Sequence, residues 1–350
     1  MVYFYLTIYF SGKGIQMNEW DFEKQYRSMI QRLGGTMLFF LMITNVLGMV
    51  GMGLSMLWEE YLTEGAASLV SSVTDGVVYI LSFLLPVAFF RILSKGKMSE
   101  PMRLEPRLPR ATFAYIFAGM AVILAAAYLN HYMIAFTNYD EFAAENLWVD
   151  TYETPQAIVM TFITMAIIPG FVEEFLFRGL VQSNLRPFGK GVAIVGSAVL
   201  FGLMHQNIQQ IFYATVAGLV LGYLYEVTGS IWCGILLHLM NNGFSVFESA
   251  IMARFEGVFA ERVCTLAEGA IFGIGAICLV FLICHRQKDI SFADGVFEKQ
   301  LPLLAVEERY PLPAHRKVRL FFSPLMLAFV ILCVLTMIAI FVVALIQYGF

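Results

Sequence analysis

Two adjacent glutamates and an arginine lie inside the apolar stretch "IIPGFVEEFLFRGLV", residues 167–181. On a helix, Glu174 and Arg178 are four residues apart, so they share a face and can form an ion pair. Glu173 lies about 100° around the same helix and has no cation at that spacing. Glu173 can therefore face a cavity, where a carboxylate can act as a general base.

Further polar residues occur in two apolar stretches, "FGLMH" (201–205) and "HLMNN" (238–242). His238 and Asn242 are four apart, so their side chains share a helix face and could both donate to one oxyanion. His205, hydrogen-bonded to a carboxylate, would orient the base or help to polarise a water. Together these groups could supply what peptide hydrolysis requires: a nucleophilic water, oxyanion stabilisation and a proton for the leaving amine.

The composition shows what surrounds these residues. The chain has 350 residues, of which 59% are hydrophobic and 14% charged, with a mean hydropathy of +0.74. Soluble domains carry about a quarter charged residues, so the composition predicts a polytopic, all-α membrane protein. An ionised residue at the centre of a spanning helix costs roughly 2.5–3.5 kcal/mol and is a functional candidate for that reason. The net charge of −4 argues against a nucleic-acid partner.

Apolar runs near the bilayer length of about 20 residues predict about nine spanning helices. Their approximate limits are 35–58, 68–93, 111–136, 155–180, 190–205, 208–227, 230–250, 266–284 and 320–348. All but two of the 22 Lys and Arg residues, Arg254 and Arg262, fall on alternate connections. The positive-inside rule then places the N-terminus in the cytoplasm. We also expect translation to start at Met17, and Glu226 to be a solvated helix end.

The three motifs together resemble a known family. "EEFLFR", "FGLMH" and "HLMNN" are similar to the motifs EExxxR, FxxxH and HxxxN of the CPBP family. This family comprises type II CAAX prenyl proteases and the bacteriocin-processing and self-immunity (Abi) proteins. The resemblance covers about residues 155–250. It implies a catalytic core of four helices resembling the CAAX protease fold, and an intramembrane endopeptidase that uses a glutamate-activated water.

The resemblance also implies a role for each motif residue. Glu173 would be the general base, assisted by His205. His238 and Asn242 would form the oxyanion hole, while Glu174 with Arg178 would hold Glu173 in place. No cofactor is expected. Zinc is the alternative, but the sequence has no HExxH helix pair, so two histidines and carboxylates could bind it only by assembly in space.

These inferences predict four regions. Residues 1–34 form a cytoplasmic N-terminal segment and residues 35–154 accessory transmembrane helices. Residues 155–250 form the catalytic core. Residues 251–350 form C-terminal helices with a basic cytoplasmic loop at 285–319.

The expected partners are the lipid bilayer and a membrane-associated peptide or protein substrate. The scissile bond must reach the motif residues from the membrane interface, so we predict a conical cavity that opens to the cytoplasm or sideways to lipid. In a bacterial cell membrane, the leader of a secreted peptide suits this site better than a prenylated protein.

Three other interpretations stay open from the residues alone. Glu174 and Arg178 could merely brace the helix bundle. The chain could be a non-catalytic immunity or scaffold protein that binds a peptide without cleaving it. It could also be a transporter that uses its carboxylates as a proton relay, although its polar residues crowd one region, whereas transporters often have interrupted helices in two halves.

Overall fold

A computed structural model describes residues 19–96, 102–104, 108, 111–135, 152, 154–255, 257–298 and 312–348. Within these residues the protein is all-helical and holds no strand, which confirms the predicted fold class. The helices are α1 (Glu19–Tyr61), α2 (Glu64–Leu93), α3 (Thr112–Ala135), α4 (Pro155–Phe188), α5 (Lys190–Met204), α6 (Ile211–Thr228), α7 (Ile231–Arg254), α8 (Val258–Glu298), α9 (Ala314–Phe321) and α10 (Pro324–Tyr348). The expected start at Met17 and residues 299–311 of the basic loop lie outside the described residues.

Seven of the described helices are long and apolar enough to cross a membrane: α1, α2, α3, α4, α6, α8 and α10. The chain is therefore an integral membrane protein, as predicted. The estimate of about nine spans also included α5 and α7. Helix α5 has 15 residues, so it is about 22 Å long and shorter than the hydrocarbon core of about 30 Å. Helix α7 has 24 residues, but His238, Asn241, Asn242 and Glu248 interrupt its apolar character.

Helix α4 carries the glutamates and departs from regular α-helical geometry at two places. Thr154 caps its start by accepting a hydrogen bond from the backbone N–H of Ala157, and Pro155 occupies the first turn. Two stretches of π-helix, Ile163–Ile167 and Phe175–Gln182, flank the α-helical turns Ile168–Glu174. Such wide turns occur frequently at functional sites.

The helices around α4 bring the other motifs to it. Helix α7 packs along α4, α5 packs against α6 and the last part of α4, and α2 covers another side of α4. Helices α1 and α10 pack outside α2 and α5, and α3 with α8 lies against α6 and α7. The buried apolar side chains of α4, including Leu176, Phe177 and Leu180, are fully enclosed. The carboxylates of α4 therefore lie inside the bundle and away from lipid.

A glycine sets the separation of α5 and α6. A Cβ on Gly218 would lie 2.9 Å from the Cα of Ala198, so the two backbones touch only because Gly218 has no side chain. The close approach places the carbonyl of Gly218 near α4, where it accepts a hydrogen bond from Arg178 at 3.1 Å. Backbone packing and the placement of Arg178 are thus linked.

Candidate active site

Glu173 is a buried carboxylate with one unpartnered oxygen. The residue is 4% exposed. Its Oε2 lies 3.8 Å from Nε2 of His238 and has no hydrogen-bond partner among the described residues. A water can lie within hydrogen-bond distance of two polar atoms separated by 3.8 Å.

Glu174 and Arg178 form the buried ion pair that their spacing predicts. Arg178 donates to Oε1 of Glu174 at 3.0 Å, and both side chains are fully buried. The same oxygen lies 2.9 Å from Nδ1 of His238. The pair therefore contacts His238 directly, whereas we expected it to hold Glu173. With Nδ1–H donating to the carboxylate, the ring of His238 turns Nε2 toward Glu173.

A residue that the sequence analysis did not select contacts Glu173. The hydroxyl of Tyr79, in α2, donates to Oε1 of Glu173. The ring of Tyr79 packs against Phe83 with a centroid distance of 4.9 Å. The two carboxylates thus have different supports: an arginine and a histidine hold Glu174, and a phenol holds Glu173.

Phe201, the first residue of "FGLMH", separates the two histidines. Its ring centroid is 5.1 Å from that of His205 and 5.9 Å from that of His238. The guanidinium of Arg178 lies over the same ring at 4.7 Å, a cation–π contact. The phenylalanine of the motif therefore packs against both imidazoles and the buried cation.

His205 follows the last residue of α5 and is partly buried. Its Nδ1 lies 2.8 Å from the carbonyl oxygen of Phe201. A carbonyl only accepts hydrogen bonds, so Nδ1 carries a proton and Nε2 of the neutral ring is an acceptor. We expected His205 to bond a carboxylate; in the described residues it has no hydrogen bond to one, and His238 contacts both glutamates instead.

Hydrogen bonds link the side chains of Asn241 and Asn242, which follow His238 on α7. Tyr213 donates to Oδ1 of Asn241 at 2.9 Å, and Asn241 donates to Oδ1 of Asn242 at 3.0 Å. Asn242 in turn donates to the carbonyl oxygen of Met165 at 3.0 Å. Met165 lies in the first π-helical stretch, and Pro169, four residues further on, has no N–H to offer its carbonyl. Pro169 therefore leaves an acceptor on α4 that orients Asn242.

These groups surround one cavity of about 60 Å³. Glu173, His205, His238 and Asn242 line it, so four of the six predicted site residues reach the same space. Its remaining wall is mostly apolar and comes from α3, α5, α6 and α7: Ile123, Phe201, Tyr213, Ala214, Ala217, Leu221 and Asn241. Glu174 and Arg178 lie behind this wall. The side on which the cavity opens stays a prediction.

The nitrogen and oxygen atoms of the site residues can be examined as possible ligands of a metal ion. Among the described residues, no group of three or more His, Cys, Asp and Glu side chains is placed to hold a metal ion. Within the cluster, Nδ1 of His238 and Oε1 of Glu174 already bond each other, which leaves one imidazole nitrogen and one carboxylate oxygen facing each other. That the site needs no metal or other cofactor stays a prediction.

Sequence reasoning missed Tyr79, Phe201, Tyr213 and the pair Pro169–Met165 as parts of the site. The proline carried a usable signal, because a proline within a spanning helix frees the carbonyl four residues earlier. Phe201 stands in a motif but is a common residue in this chain, with 32 phenylalanines. Tyr79 carried no local signal, since it is 94 residues from its partner Glu173.

The fold and the cavity define a class: a helical membrane protein with a buried carboxylate and two imidazoles on a common cavity. Comparison with known proteins agrees. Residues 155–244 match the family "Type II CAAX prenyl endopeptidase Rce1-like". The resemblance drawn from the three motifs is thus confirmed for this part of the chain.

One curated relative also matches. The "Putative membrane peptidase YdiL" of Bacillus subtilis (strain 168) is 32% identical over 95 residues, which are 26% of this chain and 38% of that protein. The chain therefore aligns with well under half of this relative. No solved structure matches the chain. Both descriptions indicate a membrane peptidase, and neither names bacteriocin processing or self-immunity.

Proposed function

We propose that the protein is an intramembrane endopeptidase that hydrolyses a peptide bond of a membrane-associated peptide or protein through a water activated by Glu173. The observation that carries this proposal is Oε2 of Glu173: it is buried, has no partner among the described residues and faces Nε2 of His238 at 3.8 Å. Leaving a buried carboxylate oxygen unpaired is unfavourable. Glu173 also lines the cavity, so its carboxylate is placed to act as a water-activating base.

The first step is addition of water to the scissile carbonyl. Glu173 accepts a proton from the water, and the resulting hydroxide forms a bond to the carbonyl carbon. His205 assists, because Nε2 of its neutral ring is an acceptor on the same cavity. The carbonyl oxygen becomes an oxyanion.

His238 and Asn242 stabilise that oxyanion. Asn242 has two N–H groups on its amide and gives one to Met165, so one remains for the substrate. His238 already donates from Nδ1 to Glu174, so its Nε2 donates when the ring carries a second proton. Losing one such donor typically lowers the rate by about 10²–10³-fold.

The second step is cleavage of the carbon–nitrogen bond. Glu173 returns the proton to the amine as the bond breaks, which gives a carboxylic acid and an amine and regenerates the carboxylate. Glu174 and Arg178 keep the ring of His238 in place throughout. No metal or other cofactor takes part in this proposal.

The proposed substrate class follows from the position of Glu173 within the spanning helix α4. A peptide reaches such a site when a lipid, an amphipathic helix or its own spanning helix holds it at the membrane. The leader of a secreted peptide in a bacterial membrane meets that condition. We also propose that the N-terminus lies in the cytoplasm, because the basic residues cluster on that side.

Glu173→Gln tests the proposal because it keeps the size of the side chain and removes the base. Secreted and membrane peptides would be compared by mass spectrometry between cells that contain the native chain and cells with the variant at equal membrane level. We expect a specific processed peptide to fall by about 10²–10⁴-fold, the usual contribution of a positioned acid–base group.

Unchanged processing in the Glu173→Gln cells would show that the chain does not hydrolyse by this route. If the variant still protects cells against a peptide, while a bulky residue at Ala217 in the cavity wall removes protection, the chain is a binding protein. Gly191→Ala is the matched control, since a Cβ at Gly191 would meet nothing within 4 Å.

A further inference from the structure

Helix α2 lies outside the part of the chain that matches the peptidase family, yet it supplies a direct contact to the proposed base. Tyr79 donates its hydroxyl hydrogen bond to Oε1 of Glu173. We propose that Tyr79 is a positioning residue: it fixes one carboxylate oxygen of Glu173 and thereby leaves Oε2 as the oxygen that takes the proton from water. This inference rests on the proposed hydrolytic function.

The carboxylate of a glutamate needs such a support. Its terminal torsion is broad and nearly two-fold, so rotation exchanges or tilts the two oxygens at little energetic cost. Glu174, next in the chain, is fixed by Arg178 and by His238. Glu173 lies 3.8 Å from His238, beyond ordinary hydrogen-bond distance. Tyr79 is therefore its direct hydrogen-bond partner among the described residues.

The two oxygens of Glu173 differ because of this contact. Oε1 accepts from Tyr79, whereas Oε2 has no partner and faces His238. Holding a reacting atom in its productive position is worth a large factor in rate, and a misplacement of about 1 Å can cost about 10²-fold. Without the phenol, Oε2 loses its fixed direction toward the cavity.

The packing around Tyr79 fixes its ring, so its hydroxyl can hold the carboxylate of Glu173 in place. Its ring packs on Phe83, whose ring packs on Phe40 of α1 with a centroid distance of 5.1 Å. One turn earlier, Gly76 lets α2 approach α4: a Cβ there would lie 3.1 Å from the Cδ1 of Ile168. The phenol is thus anchored between α1 and α4. Tyr79 does not line the cavity, so we expect it to affect the chemical step more than substrate binding.

Carbodiimide labelling tests the contact without any substrate. The full chain in membranes would be treated with N,N′-dicyclohexylcarbodiimide, which adds to protonated carboxyl groups, and the modified residues located by mass spectrometry. The hydroxyl of Tyr79 covers Oε1 and stabilises the charged carboxylate of Glu173. Tyr79→Phe removes this hydroxyl. We expect Glu173 to be labelled about tenfold faster in this variant, the effect of losing one hydrogen bond to a charged group.

Two controls belong to this measurement. Glu174 is an internal reference, because Arg178 and His238 hold it and its labelling should not change. Tyr128→Phe is the matched variant, since Tyr128 also donates to a carboxylate, that of Glu268, away from the cavity. Tyr128→Phe should leave the labelling of Glu173 unaltered. Equal labelling of Glu173 in the native chain and in Tyr79→Phe would overturn the inference.

Cleavage kinetics then separate positioning from packing. With the peptide whose processing depends on Glu173, Tyr79→Phe should lower kcat by about 10–100-fold and change KM by less than about twofold. A rise in KM at unchanged kcat would overturn the inference. Tyr79→His restores a donor in a smaller ring and should recover part of the lost kcat; it also replaces Tyr79→Phe if that variant does not accumulate in the membrane.

The inference and the proposed function fail in different ways. If Glu173→Gln abolishes processing while Tyr79→Phe has native kcat and native labelling, the hydrolytic function stands and Tyr79 has no positioning role. If Glu173→Gln leaves processing intact, the hydrolytic function fails, whatever the labelling shows.

Discussion

Two buried clusters of charge in this protein have similar composition and different organisation. The cavity cluster consists of Glu173, Glu174, Arg178 and His238. The loop cluster consists of Arg103, Arg186 and Glu226, and lies where the connection between α2 and α3 meets the ends of α4 and α6. In both, glutamates and arginines are almost completely withdrawn from solvent.

In the loop cluster, both oxygens of the carboxylate have partners. Arg186 donates to Oε2 of Glu226 at 2.9 Å, and Arg103 lies 3.9 Å from the same oxygen. Gln182 donates to Oε1 at 3.2 Å. Glu226 was expected to be a solvated helix end; this prediction is wrong, because two arginines from distant parts of the chain enclose it.

The loop cluster also fastens the connection between α2 and α3 to the core. The guanidinium of Arg103 lies over the ring of Tyr225 at 5.1 Å and donates to the carbonyl of that residue. Trp232 donates to the carbonyl of Leu104 at 2.9 Å. These contacts are those of a structural brace.

The cavity cluster differs in one respect that bears on function: Glu173, whose Oε2 has no hydrogen-bond partner among the described residues, lines a cavity. Burial and ion pairing are common to both clusters, so neither property distinguishes a site from a brace. An unpaired carboxylate oxygen on a residue that lines a cavity does distinguish them. Three substitutions, in order of decreasing effect, test this contrast.

Glu226→Gln should have the largest effect, which is a loss of stability. It leaves the buried arginines without their carboxylate, which typically destabilises by about 3–5 kcal/mol. Thermal unfolding in detergent, followed by tryptophan fluorescence, would measure this loss. Glu173→Gln is the comparison variant and should unfold at or above the native temperature, because the oxygen that it alters has no partner. Equal loss in the two variants would remove the distinction between the clusters.

Gly234→Ala should have an intermediate effect, which is mainly a loss of activity. A Cβ at Gly234 would lie 2.9 Å from Oε2 of Glu174, so the carboxylate must move away from its position between Arg178 and His238. We expect processing to fall by about 10–100-fold, since His238 loses its fixed orientation, with a stability loss of about 1–3 kcal/mol.

Peptide processing at equal membrane level measures the Gly234→Ala effect. Gly53→Ala is a suitable control, because a Cβ there would meet nothing within 4 Å. Native activity in Gly234→Ala would show that the exact position of Glu174 is unimportant.

Pro169→Ala should have the smallest effect. It supplies a backbone N–H that competes with Asn242 for the carbonyl oxygen of Met165. We expect kcat to fall by about 2–10-fold, the effect of weakening one hydrogen bond that orients an oxyanion donor. A fall as large as that of Asn242→Ala would mean that Pro169 supports more than Asn242. No change would mean that the Met165 contact does not orient the amide.

Much of the fold could be predicted from the sequence. The apolar lengths gave the membrane class and the approximate helix limits, because a helix in lipid must satisfy its own backbone hydrogen bonds over about 20 residues. The count of about nine was approximate: seven described helices have the length and hydropathy of a span, whereas α5 is short and polar residues interrupt α7. Helix α1 extends from Glu19 to Tyr61, so it includes the predicted span at 35–58 and part of the segment predicted to be cytoplasmic.

Part of the candidate site could be predicted as well. The four-residue spacing correctly paired Glu174 with Arg178, because helical neighbours are fixed by local geometry. The motifs named four residues that line one cavity: Glu173, His205, His238 and Asn242. Their catalytic roles stay proposals.

The sequence by itself determined the chemical groups and the helices that carry them, because side-chain type and helical spacing are local properties. Only the tertiary structure decided which group supports which. Tyr79 reaches Glu173 across 94 residues of chain, and Arg103 reaches Glu226 from the loop after α2. Such partners are chosen by how helices pack, and no local pattern records a contact between helices that are distant in the chain.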